Sequence, residues 1–379
     1  MRVLVFGTYD AARHPRIAVL AEGLRRRGAE ITECNVPLGL DTADRVAMLR
    51  QPWRLPVLAG RIGRSWRALA RRARRLPAPD LVLVGYLGHF DVHLARRLFP
   101  STPIVLDHLI GAADTANDRG VSGGITTWLL KRLDRAALRA ADVVVVDTAE
   151  HLTMLPEEYQ AKAVAVAVGA APPWFDAGRR AMVGEPRTAV GAPGTAADPL
   201  RVVFFGLYTP LQGAPVIGAA LRELADLPVQ VTMIGTGQDL AATRSAAGTG
   251  ADIHWLDWAP ATELPALVAR HEVCLGIFGT GPKAGRVVPN KVFQGAAAGC
   301  AIVTSDTPPQ RRALGEAAVL VPPGDSNALA NTLRTLAADP ALTARYRRAA
   351  VELAASSFSA DAVVAPLLDR LATAEVTPR

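Results

Sequence analysis

Cysteine is scarce in this sequence. Cys34, Cys274 and Cys300 stand far apart, with no CxxC spacing and no histidine cluster beside them. That excludes a disulfide framework and the common zinc motifs, and the thiols read as small buried hydrophobes of a reducing compartment. No apolar run approaches the roughly 18 residues of a membrane-spanning helix. The first residues run straight into a strand without a leader-like pattern, so a cytoplasmic protein is expected. Aromatic residues make up only 5% of the chain. They form no RNP-like pattern and no zinc-finger spacing is present, so nucleic acid is not expected as a partner. Neither GxGxxG nor GxxxxGK[ST] occurs, which disfavours nicotinamide and P-loop enzymes. Nothing in the spacing calls for a metal or a cofactor.

What is present is a long, well-buried chain. At 379 residues with 50% hydrophobic content it exceeds the usual size of one core, so two domains are expected. The formal charge of +7, supplied almost wholly by arginine, permits anionic partners. Apolar runs at 3–6, 81–85, 103–107 and 143–147 alternate with helical patterns at 16–27, 61–76, 91–99 and 125–140. The plan repeats with runs at 202–205, 229–235, 272–278, 301–306 and 318–322. Continuous apolar strands between helices indicate parallel sheets covered on both faces. RVLVFGTY (2–9) and RVVFFGLYTP (201–210) echo one another. Each reads as the first strand of a doubly wound α/β domain, followed by a glycine that permits a tight turn. Substrates of such sheets bind beyond the carboxyl ends of the strands, so two such domains would set these loops across one cleft. The aperiodic stretch GRRAMVGEPRTAVGAPGTAAD reads as a linker. The expected division is therefore 1–177, a linker at 178–198, a second domain at 199–357, and a final helix within 358–379 that returns toward the first.

The segment GIFGTGPKAGRVVPNKVFQGAAAGCAIVTSD (276–306) is the most informative. A strand ends in a glycine-rich loop holding Lys283 and Arg286, and Pro289 suits the start of a helix. Lys291 and Gln294 then share one face three residues apart. Fixed cations and helix-start N–H groups make a receptacle for a pyrophosphate.

Here the chain resembles glycosyltransferase family 4, whose members carry Pro-x-Lys-x-x-Glu, a small-residue helix and a late Val-Pro-Pro-Gly-Asp. The corresponding stretches are PNKVFQ (289–294), AAAGCAIVTSD (296–306) and LVPPGD (320–325). MIGTGQD (233–239) resembles the family's Gly-x-Gly turn, and HPRIAVLAEGLRRRGAEI (14–31) its N-terminal helix and second strand. The resemblance implies a GT-B fold, two Rossmann-like domains facing across a cleft. It also implies retaining, metal-independent sugar transfer from a nucleoside-diphosphate sugar, UDP being commonest, to the hydroxyl of a glycan, glycolipid or secondary metabolite. In such enzymes the leaving diphosphate is thought to help deprotonate the acceptor, and no further cofactor is implied. Donor contacts would fall to Gly206, Tyr208, Thr209, Gly235, Gly237, Lys283, Arg286, Asn290, Lys291 and Gln294. Two departures stand out. Gln294 replaces the family's ribose-binding Glu, and Leu207 and Gln212 occupy positions that are usually basic. Lys283, Arg286 and Lys291 are expected to supply the missing charge. A sugar-nucleotide epimerase of the same fold and a non-catalytic nucleotide-binding module remain as alternatives.

On the N-terminal side, His89 and Asp91 follow one strand, and Asp107, His108, Asp114, Asp118 and Arg119 follow the next. His89 is the first catalytic candidate, the alternative being a packed or helix-capping histidine. Asp107 could orient the acceptor or cap a turn. Gly7, Thr8, Arg13 and His14 are candidates for the acceptor or phosphate side, and a helix-start salt bridge is expected for at least one of Arg13, His14 and Arg16. In RIGRSWRALARRARRLP (61–77) Ile62, Trp66, Leu69, Ala73 and Leu76 form one stripe, and arginines crowd the other faces. Peripheral contact with an anionic membrane through this helix stands beside an ordinary solvated face.

Overall fold

The computed structural model describes residues 1–10, 15–39, 55–85, 88–109, 111–112, 124–183 and 199–373. Arg13, His14, Asp114, Asp118, Arg119 and residues 184–198 of the expected linker lie outside them. Two compact units are present, Met1–Ala167 with Ala360–Arg379, and Val168–Ser359.

The first unit contains β1 (Arg2–Gly7), α1 (Arg16–Arg26), β2 (Glu30–Asn35), α2 (Leu55–Ala73), β3 (Leu81–Val84), α3 (Asp91–Leu98), β4 (Ile104–Leu109) and α4 (Gly124–Ala140). It continues with β5 (Val143–Val146), α5 (Ala149–Met154), α6 (Glu157–Gln160) and β6 (Ala163–Ala165). Its sheet is parallel in the order β2-β1-β3-β4-β5-β6. The uninterrupted apolar runs are the central strands, because helices cover both faces and leave no solvent side to mark with polar residues. Leu4, Phe6, Val82, Val84, Ile104, Leu106, Val144 and Val146 build one core face. Leu69, Ala73 and half-buried Trp66 of α2 close over that face, so the stripe read in 61–77 faces inward while Arg64, Arg67, Arg71 and Arg72 are exposed.

The second unit begins with α7 (Pro172–Val183), then β7 (Leu200–Phe205), α8 (Ala214–Arg222), β8 (Val229–Ile234), α9 (Leu240–Ala247), β9 (Asp252–Leu256), α10 (Leu264–Val268) and β10 (Val273–Leu275). Next come α11 (Asn290–Ala297), β11 (Ala301–Ser305), α12 (Pro308–Leu314), β12 (Ala318–Val321), α13 (Ser326–Ala338) and α14 (Pro340–Leu353). The sheet order is β12-β11-β10-β7-β8-β9, again parallel. The strand order reverses between β7 and β10 here, and between β1 and β3 in the first unit. Ligands of open α/β sheets sit at these switch points, at the carboxyl ends of the strands.

Residues 168–177, expected in the first domain, group with the second unit, and 178–183, expected as linker, complete α7. Gly178 is the reason. It reads as a breaker in sequence, yet a Cβ there would lie 2.3 Å from the Ala297 carbonyl oxygen, so it lets α7 press against α11.

The final helix α15 (Ala360–Thr373) packs on α1 in the first unit. Pro340–Thr373 has the length of a membrane-spanning helix and contains a window of matching mean hydropathy, although it is not an uninterrupted apolar run. It is broken by extended backbone at Ser359, and its two halves belong to different units. Gly23 of α1 makes the α15 contact possible, since a Cβ there would lie 2.2 Å from the Ala360 carbonyl oxygen. Gly23→Ala should therefore force α15 off its seat and cost about 1–3 kcal/mol in urea unfolding. An unchanged midpoint would show that the contact carries no strain.

Candidate functional site

In the second unit the loops after β7, β8 and β10 interlock through their backbones. The Gly206 N–H donates to the Ile234 carbonyl at 3.0 Å, and the Tyr208 N–H to the Thr236 carbonyl at 2.9 Å. Gly235 has φ +124°, and a Cβ on it would sit 1.9 Å from the Gly206 carbonyl oxygen. Only glycine fits there. A Cβ on Gly279 would lie 2.4 Å from the Pro210 carbonyl oxygen, and the Gly324 N–H of the LVPPGD stretch donates to the Phe278 carbonyl at 3.0 Å.

Lys291 projects into this crossing from the first turn of α11. It is only 4% exposed. Its Nζ lies 3.6 Å from the centroid of the Phe204 ring and 3.3 Å from the place a Gly206 Cβ would take, and it donates to Gln212 Oε1. An ammonium carries three donors, and among the described residues Gln212 is its one hydrogen-bond acceptor and no carboxylate pairs with it. Burial pushes its pKa from 10.5 down to about 7. Pro289 precedes the helix with extended backbone, and no side chain caps the N-terminal N–H groups. The arrangement is a desolvated cation beside open helix-start donors, which is a site for an anion.

The remaining expected donor residues fall into place unequally. Asn290 is exposed and Gln294 half-buried at the start of α11, whereas Lys283 and Arg286 sit half-exposed in the loop after β10. Arg286 Nε donates to the Pro282 carbonyl at 3.0 Å. Thr209 is half-buried within the β7 loop, its carbonyl accepting from the Gln212 N–H at 2.8 Å. Tyr208 requires a correction. Its ring is fully buried, edge-on to Phe204 at 5.5 Å, and its carbonyl lies 2.4 Å from the place a Gly237 Cβ would take. The side chain is core, and the residue serves to lock the β7 and β8 loops together.

In the first unit, Thr8 offers neither of its donors outward. Its N–H and Oγ1 both bind Asp91 Oδ2, at 2.7 and 2.8 Å, while Trp66 Nε1 donates to Asp91 Oδ1 at 2.9 Å. Gly7 faces the same carboxylate, 3.3 Å from a Cβ built on it. Asp107 is fully buried and accepts from Arg16 Nε at 2.8 Å, so Arg16 forms a salt bridge of the kind expected at the α1 start. Arg16 Nη2 also donates to the Val166 carbonyl at 2.9 Å. His89 and Asp107 have different partners. His89 instead meets Asp134 of α4, with Nε2 to Oδ1 at 3.1 Å, and its ring stands 5.0 Å from that of His108. Sequence reasoning passed over Asp134.

Residues 199–339 match the family model for Glycosyl transferases group 1. Sucrose-phosphate synthase from Thermosynechococcus elongatus is similar at 15% identity and TM-score 0.68, over 99% of each chain. The UDP-forming α,α-trehalose-phosphate synthase from Burkholderia vietnamiensis is similar at 14% identity and TM-score 0.67, over 100% of this chain and 99% of the other. HepE of Anabaena in complex with UDP-glucose is similar at 15% identity and TM-score 0.63, over 98% of this chain and 100% of the other. The fold is that of the GT-B glycosyltransferases. Comparison with curated protein sequences gives no match. The matched segment is the one that contains the interlocked glycine loops, Lys291 and the LVPPGD stretch.

Proposed function

We propose that this protein transfers a sugar from a nucleoside-diphosphate sugar to an acceptor hydroxyl, with retention of anomeric configuration. The observation that carries the reading is Lys291, a buried ammonium without a counter-charge among the described residues, at the carboxyl end of β7 and the N-terminus of α11. Burying such a charge is costly unless something compensates it. The diphosphate of a donor would do so, and the same contact strengthens as negative charge develops on the leaving group. UDP is the proposed nucleotide because HepE of Anabaena, similar in fold, is in complex with UDP and with UDP-glucose. Gln294, one turn on from Lys291, is proposed for the ribose, with a neutral amide in place of a carboxylate.

Incubation with UDP-glucose and a panel of hydroxyl acceptors tests the reading. UDP should appear only when an acceptor is present, and NMR of the product should show the donor's anomeric configuration. Isomerised sugar nucleotide without acceptor would replace the reading with an epimerase. Nucleotide binding without turnover on any acceptor would replace it with a binding module.

A further inference from the structure

The first unit holds a second polar cluster that the donor site does not use. His89 follows β3, His108 lies in β4, and Asp134 is on α4. The side chains of both histidines are almost fully enclosed, and Asp134 is 13% exposed. Their ligand-capable atoms all lie within 4.8 Å of one another. His108 is the extra residue of a register shift between β4 and β5, with Asp107 opposite Val145 and Leu109 opposite Val146. Leu109 beside it has φ +50°. A bulge of this kind re-aims a side chain, and here the imidazole is turned into the cluster.

The cluster is unfinished as a set of hydrogen bonds. Asp134 Oδ1 faces His89 and also accepts the Ala112 N–H at 2.8 Å, which holds the carboxylate in place. His108 Nδ1, fully buried, has no hydrogen-bond partner among the described residues. A buried ring nitrogen left without a partner is destabilising.

We propose that His89, His108 and Asp134 bind a divalent transition cation of the zinc class, leaving one coordination position open to an oxygen ligand. Two imidazoles and one carboxylate are a known set for such ions, and three protein ligands leave a tetrahedral ion one open place. Ligand atoms on one tetrahedral zinc stand roughly 3.3 Å apart, given metal–ligand distances near 2.0 Å. His89 and Asp134 already stand at 3.1 Å. The cation would satisfy the His108 ring and neutralise the Asp134 carboxylate in one step. The site shares no residue with the donor loops of the second unit, and it assigns His89, the catalytic candidate of the sequence, to the cation.

Full-length protein, stripped with a chelator and dialysed, is titrated with Zn²⁺ in a calorimeter and with Co²⁺ in a spectrophotometer. One ion per chain should bind and raise the melting temperature. Asp134→Asn, nearly isosteric, and His108→Gln should each weaken binding by more than about 100-fold, since even second-sphere changes cost 10- to 100-fold. His254→Ala, at an exposed position of the second unit, should leave binding unchanged. Circular dichroism checks that the variants fold. No uptake by the unmodified protein, uptake that Asp134→Asn and His108→Gln leave intact, or a Co²⁺ spectrum dominated by thiolate charge transfer would each overturn the site.

Discussion

Lys291→Met weakens UDP binding by about 10- to 100-fold and at the same time stabilises the nucleotide-free protein. The loss follows from removing a charge-assisted contact worth about 1.5–3 kcal/mol. The gain follows from the same desolvation that draws the anion in. The pKa of Lys291 falls from 10.5 in the free side chain to about 7 in the folded chain. At 1.36 kcal/mol per pKa unit, this corresponds to a penalty on the order of 5 kcal/mol for folding with the ammonium charged. Between those two pKa values the unfolded chain holds more protons than the folded one, so stability rises with pH across that window. Below about pH 7 both states are protonated and the whole penalty is present. Methionine has no charge to bury and should flatten this slope. A bound diphosphate restores the lysine pKa, so UDP binding at about pH 8 should take up protons, seen as a buffer-dependent calorimetric enthalpy. The variant should lose that uptake. Equal UDP affinity for both proteins, with no proton uptake by either, would leave Lys291 a packing residue over Phe204 and remove the basis for a donor at this site.

Much of this fold is legible as a string of Val- and Leu-rich runs, because strands buried on both faces carry no competing polar pattern. The edges escape that logic. β6 is three half-buried residues and β9 is DIHWL, half of it facing solvent, so neither offers a continuous apolar run. Gly178 in sequence looks like a break in α7, while in space it is a point of close approach to α11. At the site, the spacing in PNKVFQ was enough to place Lys291, since a helix start and its first turn are local features. Its acceptor Gln212 lies 79 residues away and was read only as a missing charge. Tyr208 follows a Phe-Gly turn and reads as a loop residue, but its chain reverses under the β8 loop and the ring enters the core. Asp134 gave no signal at all. Lys131, Arg132 and Arg135 surround it in sequence, so it reads as one half of an ordinary surface ion pair, and its histidine neighbours come from two other segments.

Asp107→Asn should act on stability and spare chemistry. The carboxylate is fully buried against Arg16, itself 3% exposed, and removing its charge deprives the enclosed guanidinium of its paired carboxylate. Breaking such a pair costs about 3–5 kcal/mol, a large share of the stability of an ordinary domain. Replacing both partners by apolar residues of similar bulk removes both desolvation penalties together, so Arg16→Met with Asp107→Leu should recover most of the loss. Recovery should be incomplete, because Arg16 Nη2 also serves the Val166 carbonyl at 2.9 Å and methionine cannot. Urea midpoints of the two single variants and the double variant give the coupling directly. A residue that orients the acceptor would behave in the opposite way. Asp107→Asn would then keep its midpoint and lose turnover, and the double variant would be stable and inactive. The enclosed geometry of the pair predicts the first outcome, with turnover per folded molecule unchanged wherever the variant remains folded.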